Sequence, residues 1–194
     1  MKKRDFKFDN RAEKYDYGFE GKLSRKFYKL IYDNVSLKSG QNVIDVGCGT
    51  GTILKTFSNM KNIKGHGIDI EPQMLLIAKE KCPGMDIQEC SCDKTTYDDN
   101  YFDVMTACMA YHHFADKDAF IREASRILKS GGTLYLADPR FPFLPRKIIN
   151  ALVYGLNGEF NSSKETISRF GKYGFVPVDT KYDHYAQLIV LRKL

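Results

Sequence analysis

The stretch that most constrains this chain is VIDVGCGTG, residues 43–51: an apolar run, then glycines at 47, 49 and 51, then the start of a helical pattern. Glycines directly after a strand and before a helix let the backbone turn tightly and bring main-chain N–H groups up to a ligand. Such a strand–turn–helix unit needs a parallel sheet with helices on its faces. The spacing is G-x-G-x-G rather than the G-x-G-x-x-G of dinucleotide folds. Asp69 follows Gly47 by 22 residues, at the end of the next expected strand, where an acidic side chain grips a ribose. Asp45 precedes the turn on the strand itself, where a dinucleotide fold carries an apolar residue.

The remaining elements alternate as that frame requires. Leu23, Phe27, Leu30 and Ile31 recur at helical spacing, and Ser39 and Gly40 close that unit. Strands are expected at 42–46, 65–70, 86–89, 102–107 and 133–137. Between them fall a helix with Ile53, Leu54 and Phe57 inward, one opened by Pro72, and one capped by Asp116 and ended by Gly131 and Gly132. Residues 143–156 read as an apolar helix, and Ser162 or Ser163 caps another reaching about Tyr173. Strands at 175–181 and 185–192 are too close for a helical crossover, so they form a hairpin. The result is an α/β sandwich, five parallel strands plus an antiparallel C-terminal hairpin, in a single domain.

Composition sets the outer bounds. With 194 residues, 43% hydrophobic and 28% charged, the chain has the usual globular mix and length for one core. Of its net charge of +6, residues 1–29 supply +5, from ten basic and five acidic side chains. That arm suits either an anionic partner or an ordinary solvated face, and its interleaved acids weaken the polyanion reading. No segment reaches the ~18 apolar residues of a membrane span, and the start of the chain lacks the apolar run of a secretory signal. The five cysteines are odd in number and without a C-x-x-C pair; the C-x-C of Cys90 and Cys92 has no second half-site, so no metal is expected. A reducing, cytoplasmic setting is the corresponding expectation.

Two further stretches, DNYFDVM at 99–105 and RILKSGG at 126–132, join the glycine turn, Asp45 and Asp69 in a combination that resembles the class I S-adenosylmethionine-dependent methyltransferases. Within them it is similar to the group that includes the ubiquinone/menaquinone C-methyltransferases, over about residues 8–138, including the opening FDNRAEKYD at 8–16. The resemblance implies a Rossmann-like three-layer sandwich with a mainly parallel seven-stranded sheet. Its parts would be an N-terminal arm and helix (1–38), a cofactor core (39–138), and a lid with the hairpin (139–194).

It also implies the cofactor, S-adenosylmethionine, with S-adenosylhomocysteine as product. Gly47, Gly49 and Gly51 would lie against its methionine part, Asp45 near its amino group and Cys108 beside them. Asp69 would bind both ribose hydroxyls, Ile70 and Met74 would pack near the adenine or ribose, and Tyr15 would help to cover the site. Where the group often carries the Asp that holds the adenine amino group, this chain has Ser91; Ser91 with the Cys92 backbone forms the adenine edge, with Asp93 as the rival.

The cofactor carries the difficult chemistry, so the protein must mainly position a nucleophile in line and exclude water. If the acceptor loses a proton, His112 and His113, in ACMAYHHF after the fourth strand, are the candidate bases; otherwise they cap or pack the loop. The N-P-P-Y-type motif of amino-group nucleobase methyltransferases and the Pro-Cys pair of cytosine-carbon enzymes are missing there. The expected acceptor is therefore a small molecule, bound under residues 138–160 as a lid or beside an ordinary crossover helix, in a monomer or homodimer. Alternatives are a non-catalytic cofactor-binding or partner subunit and an RNA methyltransferase using the basic arm; a nicotinamide-dependent oxidoreductase fits the glycine spacing least.

Overall fold

The computed structural model describes residues 16–141, Arg146 and 159–194. Tyr15, most of the basic arm and nearly all of the expected helix at 143–156 lie outside the described residues. In chain order the elements are α1 (Phe19–Asn34), β1 (Asn42–Val46), α2 (Thr52–Met60), β2 (Lys64–Asp69), α3 (Pro72–Lys81), β3 (Asp86–Glu89) and β4 (Phe102–Cys108). A short 3₁₀ turn (Tyr111–His113), α4 (Lys117–Ile127), β5 (Leu128–Pro139), α5 (Ser163–Gly171), β6 (Phe175–Asp183) and β7 (Ala186–Lys193) complete them.

The seven strands form one sheet in the order β3-β2-β1-β4-β5-β7-β6. β1 to β5 run parallel, while β7 pairs antiparallel with both β5 and β6. The expected hairpin is present, and its second strand sits inside the sheet with β6 at the edge. Chain order reverses at β1, which pairs with β2 on one side and β4 on the other. In an open α/β sheet the ligand crevice lies outside the carboxyl ends of the strands at such a reversal.

Period-two alternation divides the strand side chains between two cores. Ile44, Met105, Leu134, Leu136, Ile189 and Leu191 pack with Phe120, Ile121 and Phe170 of α4 and α5. Val43, Val104, Tyr135, Leu188 and Val190 pack with Phe27, Ile31, Ile53 and Phe57 of α1 and α2 on the other face. Helix signals behave as their chemistry dictates: the Asp116 side chain accepts from Ala119 N–H at 2.8 Å, and Pro72 opens α3. Ser162, not Ser163, is the N-cap of α5, in a reciprocal capping box with Glu165.

One boundary needs correction. The glycine pair at 131 and 132 does not end α4; that helix stops at Ile127, and Leu128 already pairs with Phe102 as β5 begins. An irregularity in the β4–β5 register absorbs Gly131, whose φ is +79°, and Lys129 pairs with Asp103 across it at 2.7 Å. All five cysteines are unpaired. Among the described residues no helix is long and apolar enough to cross a membrane.

Candidate functional site

The turn after β1 is pinned to the next strand, since the Gly47 and Cys48 N–H groups both donate to the Ile68 carbonyl, at 2.8 and 3.0 Å. Asp69, one residue further, closes the arrangement: its carboxylate accepts from Gly49 N–H at 2.8 Å and from Glu71 N–H at 3.0 Å. Burial pushes the Asp69 carboxyl above its usual range, opposed by those backbone donors. Asp69 thus sits at the rim of the glycine turn, where the sequence places a ribose.

The three glycines face different surroundings. A Cβ on Gly47 would lie 2.6 Å from the Ala110 Cβ, and its φ is +72°. Only glycine lets the turn after β4 come this close to the turn after β1. A Cβ on Gly51 would touch Ala78 and Cys82, so its bareness serves the packing of α2 on α3. Beside Gly49 there is open space, the one position of the three where bare backbone faces a place for a ligand. Gly47→Ala is expected to cost roughly 2–4 kcal/mol, combining left-handed strain with an overpacked contact. Urea unfolding checks it, and a loss below about 0.5 kcal/mol would mean the two turns separate freely.

Asp45 is the least ordinary group in the site. It is 2% exposed and accepts a hydrogen bond from the Thr106 hydroxyl on β4 at 2.6 Å. It has no ion-pair partner among the described residues. Desolvation raises its pKa to about 7, against the Thr106 bond that lowers it. A buried carboxylate at a ligand crevice without a cation is electrostatically suited to receive one.

Around the rest of the rim, Ile70 is 56% exposed although apolar, while Met74 is buried. Cys90 N–H donates to the Asp69 carbonyl at 3.0 Å, which brings the 90–93 segment beside Asp69. Ser91 and Asp93, rivals in the sequence reading, are joined: the Ser91 hydroxyl donates to an Asp93 carboxylate oxygen. Both are exposed, and Cys92 is half-buried. Cys108 is buried at the end of β4, and burial together with Asp45 and Asp138 pushes its thiol well above its ordinary value. The thiol stays neutral and packs.

On the β4–β5 side, Met109 leaves the strand at a positive φ of 55°, with its N–H donating to the Ala137 carbonyl at 2.8 Å. The 3₁₀ turn then buries His112, at 4% exposure, with Nδ1 2.7 Å from Oδ1 of Asp138, which is 3% exposed. The His113 ring lies 3.9 Å away between centroids, and Phe160 stacks on His112 at 4.9 Å.

Several of these partners escape sequence reasoning: Thr106, Asp138, Phe160 and a junction at Asp16. There the Thr50 and Thr52 hydroxyls donate to Asp16 Oδ1 at 2.8 and 3.2 Å, and Lys81 donates to Oδ2 at 2.6 Å. The end of the FDNRAEKYD stretch is thereby tied to the glycine turn. The only signal for it was that Asp16 closes that stretch.

The site's residues meet the needs of S-adenosylmethionine on the structure's own terms: open backbone at Gly49, an acid at the end of β2, and a buried carboxylate matched to an ammonium. Among the described residues no cluster of three or more His, Cys, Asp or Glu side chains is arranged for a metal.

Residues 44–136 match the family described as a methyltransferase domain. The demethylmenaquinone methyltransferase of Chlorobaculum tepidum is 33% identical over 100 residues, covering 52% of this chain and 41% of that protein. The ubiquinone/menaquinone biosynthesis C-methyltransferase UbiE of Vibrio cholerae is 30% identical over 148 residues, covering 71% and 57%. The chain spans about half the length of these curated relatives. Among solved structures, the putative methyltransferase in complex with the Haloferax volcanii Trm112 methyltransferase activator superposes with a TM-score of 0.79 at 19% identity, over 95% of this chain and 94% of that one. An S-adenosylmethionine-dependent methyltransferase from Aquifex aeolicus gives 0.75 at 19% identity, over 96% and 98%. At such identities these likenesses establish the fold.

Proposed function

We propose that this chain, which belongs to the class I S-adenosylmethionine-dependent methyltransferases and within them to the ubiquinone/menaquinone C-methyltransferase-like group, moves a methyl group from S-adenosylmethionine to a small-molecule acceptor. The observation that carries the reading is the convergence of Asp45, open Gly49 and Asp69 at the point where chain order reverses. Bound S-adenosylmethionine supplies a methyl group on a positively charged sulfur, so the protein has to bind, align and dry the two partners.

Each residue has a task in that scheme. Asp69 takes the ribose hydroxyls while holding the turn through Gly49. Asp45 takes the ammonium of the methionine part, with Thr106 orienting its carboxylate. Ile70, exposed beside Asp69, gives the adenine apolar surface, and the Ser91–Asp93 pair stands at its polar edge, with one Asp93 oxygen left to accept from the exocyclic amino group. Asp16 ties the end of the FDNRAEKYD stretch to the glycine turn. The acceptor enters on the side of His112, His113 and Phe160, where the aromatic rings suit a partly apolar molecule. The printed names of the curated relatives point to quinone-type acceptors, which supports the small-molecule reading.

The test is transfer of a radiolabelled methyl group from S-adenosylmethionine with total RNA in one arm and a panel of phenols, hydroquinones and amines in the other. Label in a small molecule and none in RNA is the expected result. Label in RNA alone would favour a nucleic-acid methyltransferase using the basic arm. Tight cofactor binding with no acceptor in either arm would favour a non-catalytic binding subunit.

A further inference from the structure

We infer that Asp138 and His112 form a proton-accepting dyad, and that the acceptor of this enzyme belongs to the class that must give up a proton on methylation: a phenolic or enolic hydroxyl, or an activated carbon acid. The inference rests on the methyl-transfer reading and narrows its acceptor.

The two groups leave the sheet on adjacent strand ends, His112 in the turn after β4 and Asp138 near the end of β5. Each is at least 96% buried, and the Nδ1–Oδ1 distance is 2.7 Å. A carboxylate only accepts hydrogen bonds, so Nδ1 carries the hydrogen. In the tautomer with its hydrogen on Nδ1, Nε2, which has no hydrogen-bond partner among the described residues, is a bare lone pair. The ring is fixed further by Phe160 stacked at 22° between planes and by the Glu159 N–H donating to the His112 carbonyl at 2.8 Å. An imidazole that only filled space would not require an acid buried beside it in an apolar surround, where each unpaired polar group is costly.

Other candidates at this end of the sheet are less suited. Cys108 is a neutral thiol under the influence of Asp45 and Asp138. Asp45 is committed to the Thr106 hydroxyl. His113 stands against the His112 ring, while the Asp138 carboxylate is bonded to His112 Nδ1. In the reaction the acceptor–carbon bond forms as the sulfur–methyl bond breaks, the electron pair stays on sulfur, and the acceptor's proton passes to Nε2. The imidazolium that results is stabilised through Nδ1–H by Asp138, which acts as a positioning residue and keeps its own charge. A tertiary amine or thioether has no proton to lose and makes no use of this apparatus.

The test combines a spectroscopic and a kinetic readout. In protein labelled with ring-¹⁵N histidine, long-range ¹H–¹⁵N correlation is expected to show His112 with Nδ1 protonated and Nε2 bare. Asp138→Asn, whose amide can donate to Nδ1, is expected to move the hydrogen to Nε2, and Asp138→Glu to restore the first form. S-adenosylhomocysteine release is then followed with 4-substituted phenols and 1,4-naphthohydroquinone, with N,N-dimethylethanolamine and dimethyl sulfide as acceptors that lose no proton. Product is expected from the acids, falling on the order of 100-fold or more in His112→Gln and Asp138→Asn. Binding of S-adenosylhomocysteine should stay within about threefold in both variants.

An Nε2–H tautomer in the wild type, unchanged turnover in the two variants, product from the amine or thioether in preference, or product from none of the acids overturns the inference. Failure of the wild type to bind S-adenosylhomocysteine would instead overturn the methyl-transfer reading on which it rests.

Discussion

Asp45→Asn is expected to raise the melting temperature of the ligand-free protein at pH 8 and, in the same variant, to weaken binding of S-adenosylhomocysteine. Burial raises the Asp45 pKa to about 7, well above the ~3.9 of the unfolded chain. The folded state therefore holds this proton more tightly. Its contribution to stability is complete below about pH 4, fades as pH rises through 7, and is gone above it. By linkage the fully charged group costs on the order of 4 kcal/mol relative to the protonated one. Asn keeps the acceptor for Thr106 but leaves an amide N–H unsatisfied, at about 1–3 kcal/mol. The net gain at pH 8 is then about 1–3 kcal/mol, or roughly 2–10 °C for a chain of this size. At pH 5 the wild type is already protonated and the advantage disappears.

Ligand binding runs the other way. Pairing with an ammonium needs the carboxylate, so wild-type affinity is expected to fall by about tenfold per pH unit once pH drops below 7. The Asn variant loses that dependence. Differential scanning fluorimetry and calorimetric titration at pH 5, 6, 7 and 8 read both effects. A pH-independent wild-type affinity would mean that the ammonium does not meet Asp45.

Asp69→Ala carries the second large effect. The wild-type carboxylate already spends two acceptor positions on Gly49 and Glu71 N–H groups, at 2.8 and 3.0 Å. In the proposed site its loss would remove the ribose contacts, and it frees the Gly49 and Glu71 N–H groups that hold the turn. Affinity for S-adenosylhomocysteine is expected to fall by about 1.5–3 kcal/mol, roughly 10- to 150-fold. Asp69→Asn, which retains one carbonyl oxygen for these donors, should lose less. An unchanged affinity in the Ala variant would place the ribose elsewhere.

How far the sequence discloses this molecule depends on whether a feature is local. The glycine turn, the proline start of α3 and the Asp116 cap are decided by neighbours in sequence, and they read correctly. The parallel strands and the C-terminal hairpin also follow, from strand–helix alternation and a connection too short for a crossover, whereas the order of strands across the sheet is a tertiary fact. The sequence sets the end of α4 too late because Gly131 and Gly132 carry a helix-stop signal, while the pairing of Leu128 with Phe102 that ends the helix earlier is a tertiary fact.

The site divides in the same way. Asp45 and Asp69 flank the turn and are visible as acids in apolar company. Their partners are less accessible to reading: Thr106 and Asp138 lie 61 and 26 residues from the groups they hold. Ser91 and Asp93 looked like rivals because an alignment has one place for an acid, whereas their side chains meet in a single hydrogen bond. Asp16 does not stand out in sequence, being one of five interleaved acids in residues 1–29; only the Thr50, Thr52 and Lys81 contacts set it beside the glycine turn.

The most direct test of the central claim is calorimetric titration of the wild-type protein at pH 8 with S-adenosylhomocysteine, with NADH as the control. The site described here predicts one-to-one binding of S-adenosylhomocysteine and no heat from NADH beyond dilution. Binding of NADH, or of neither ligand, would contradict it.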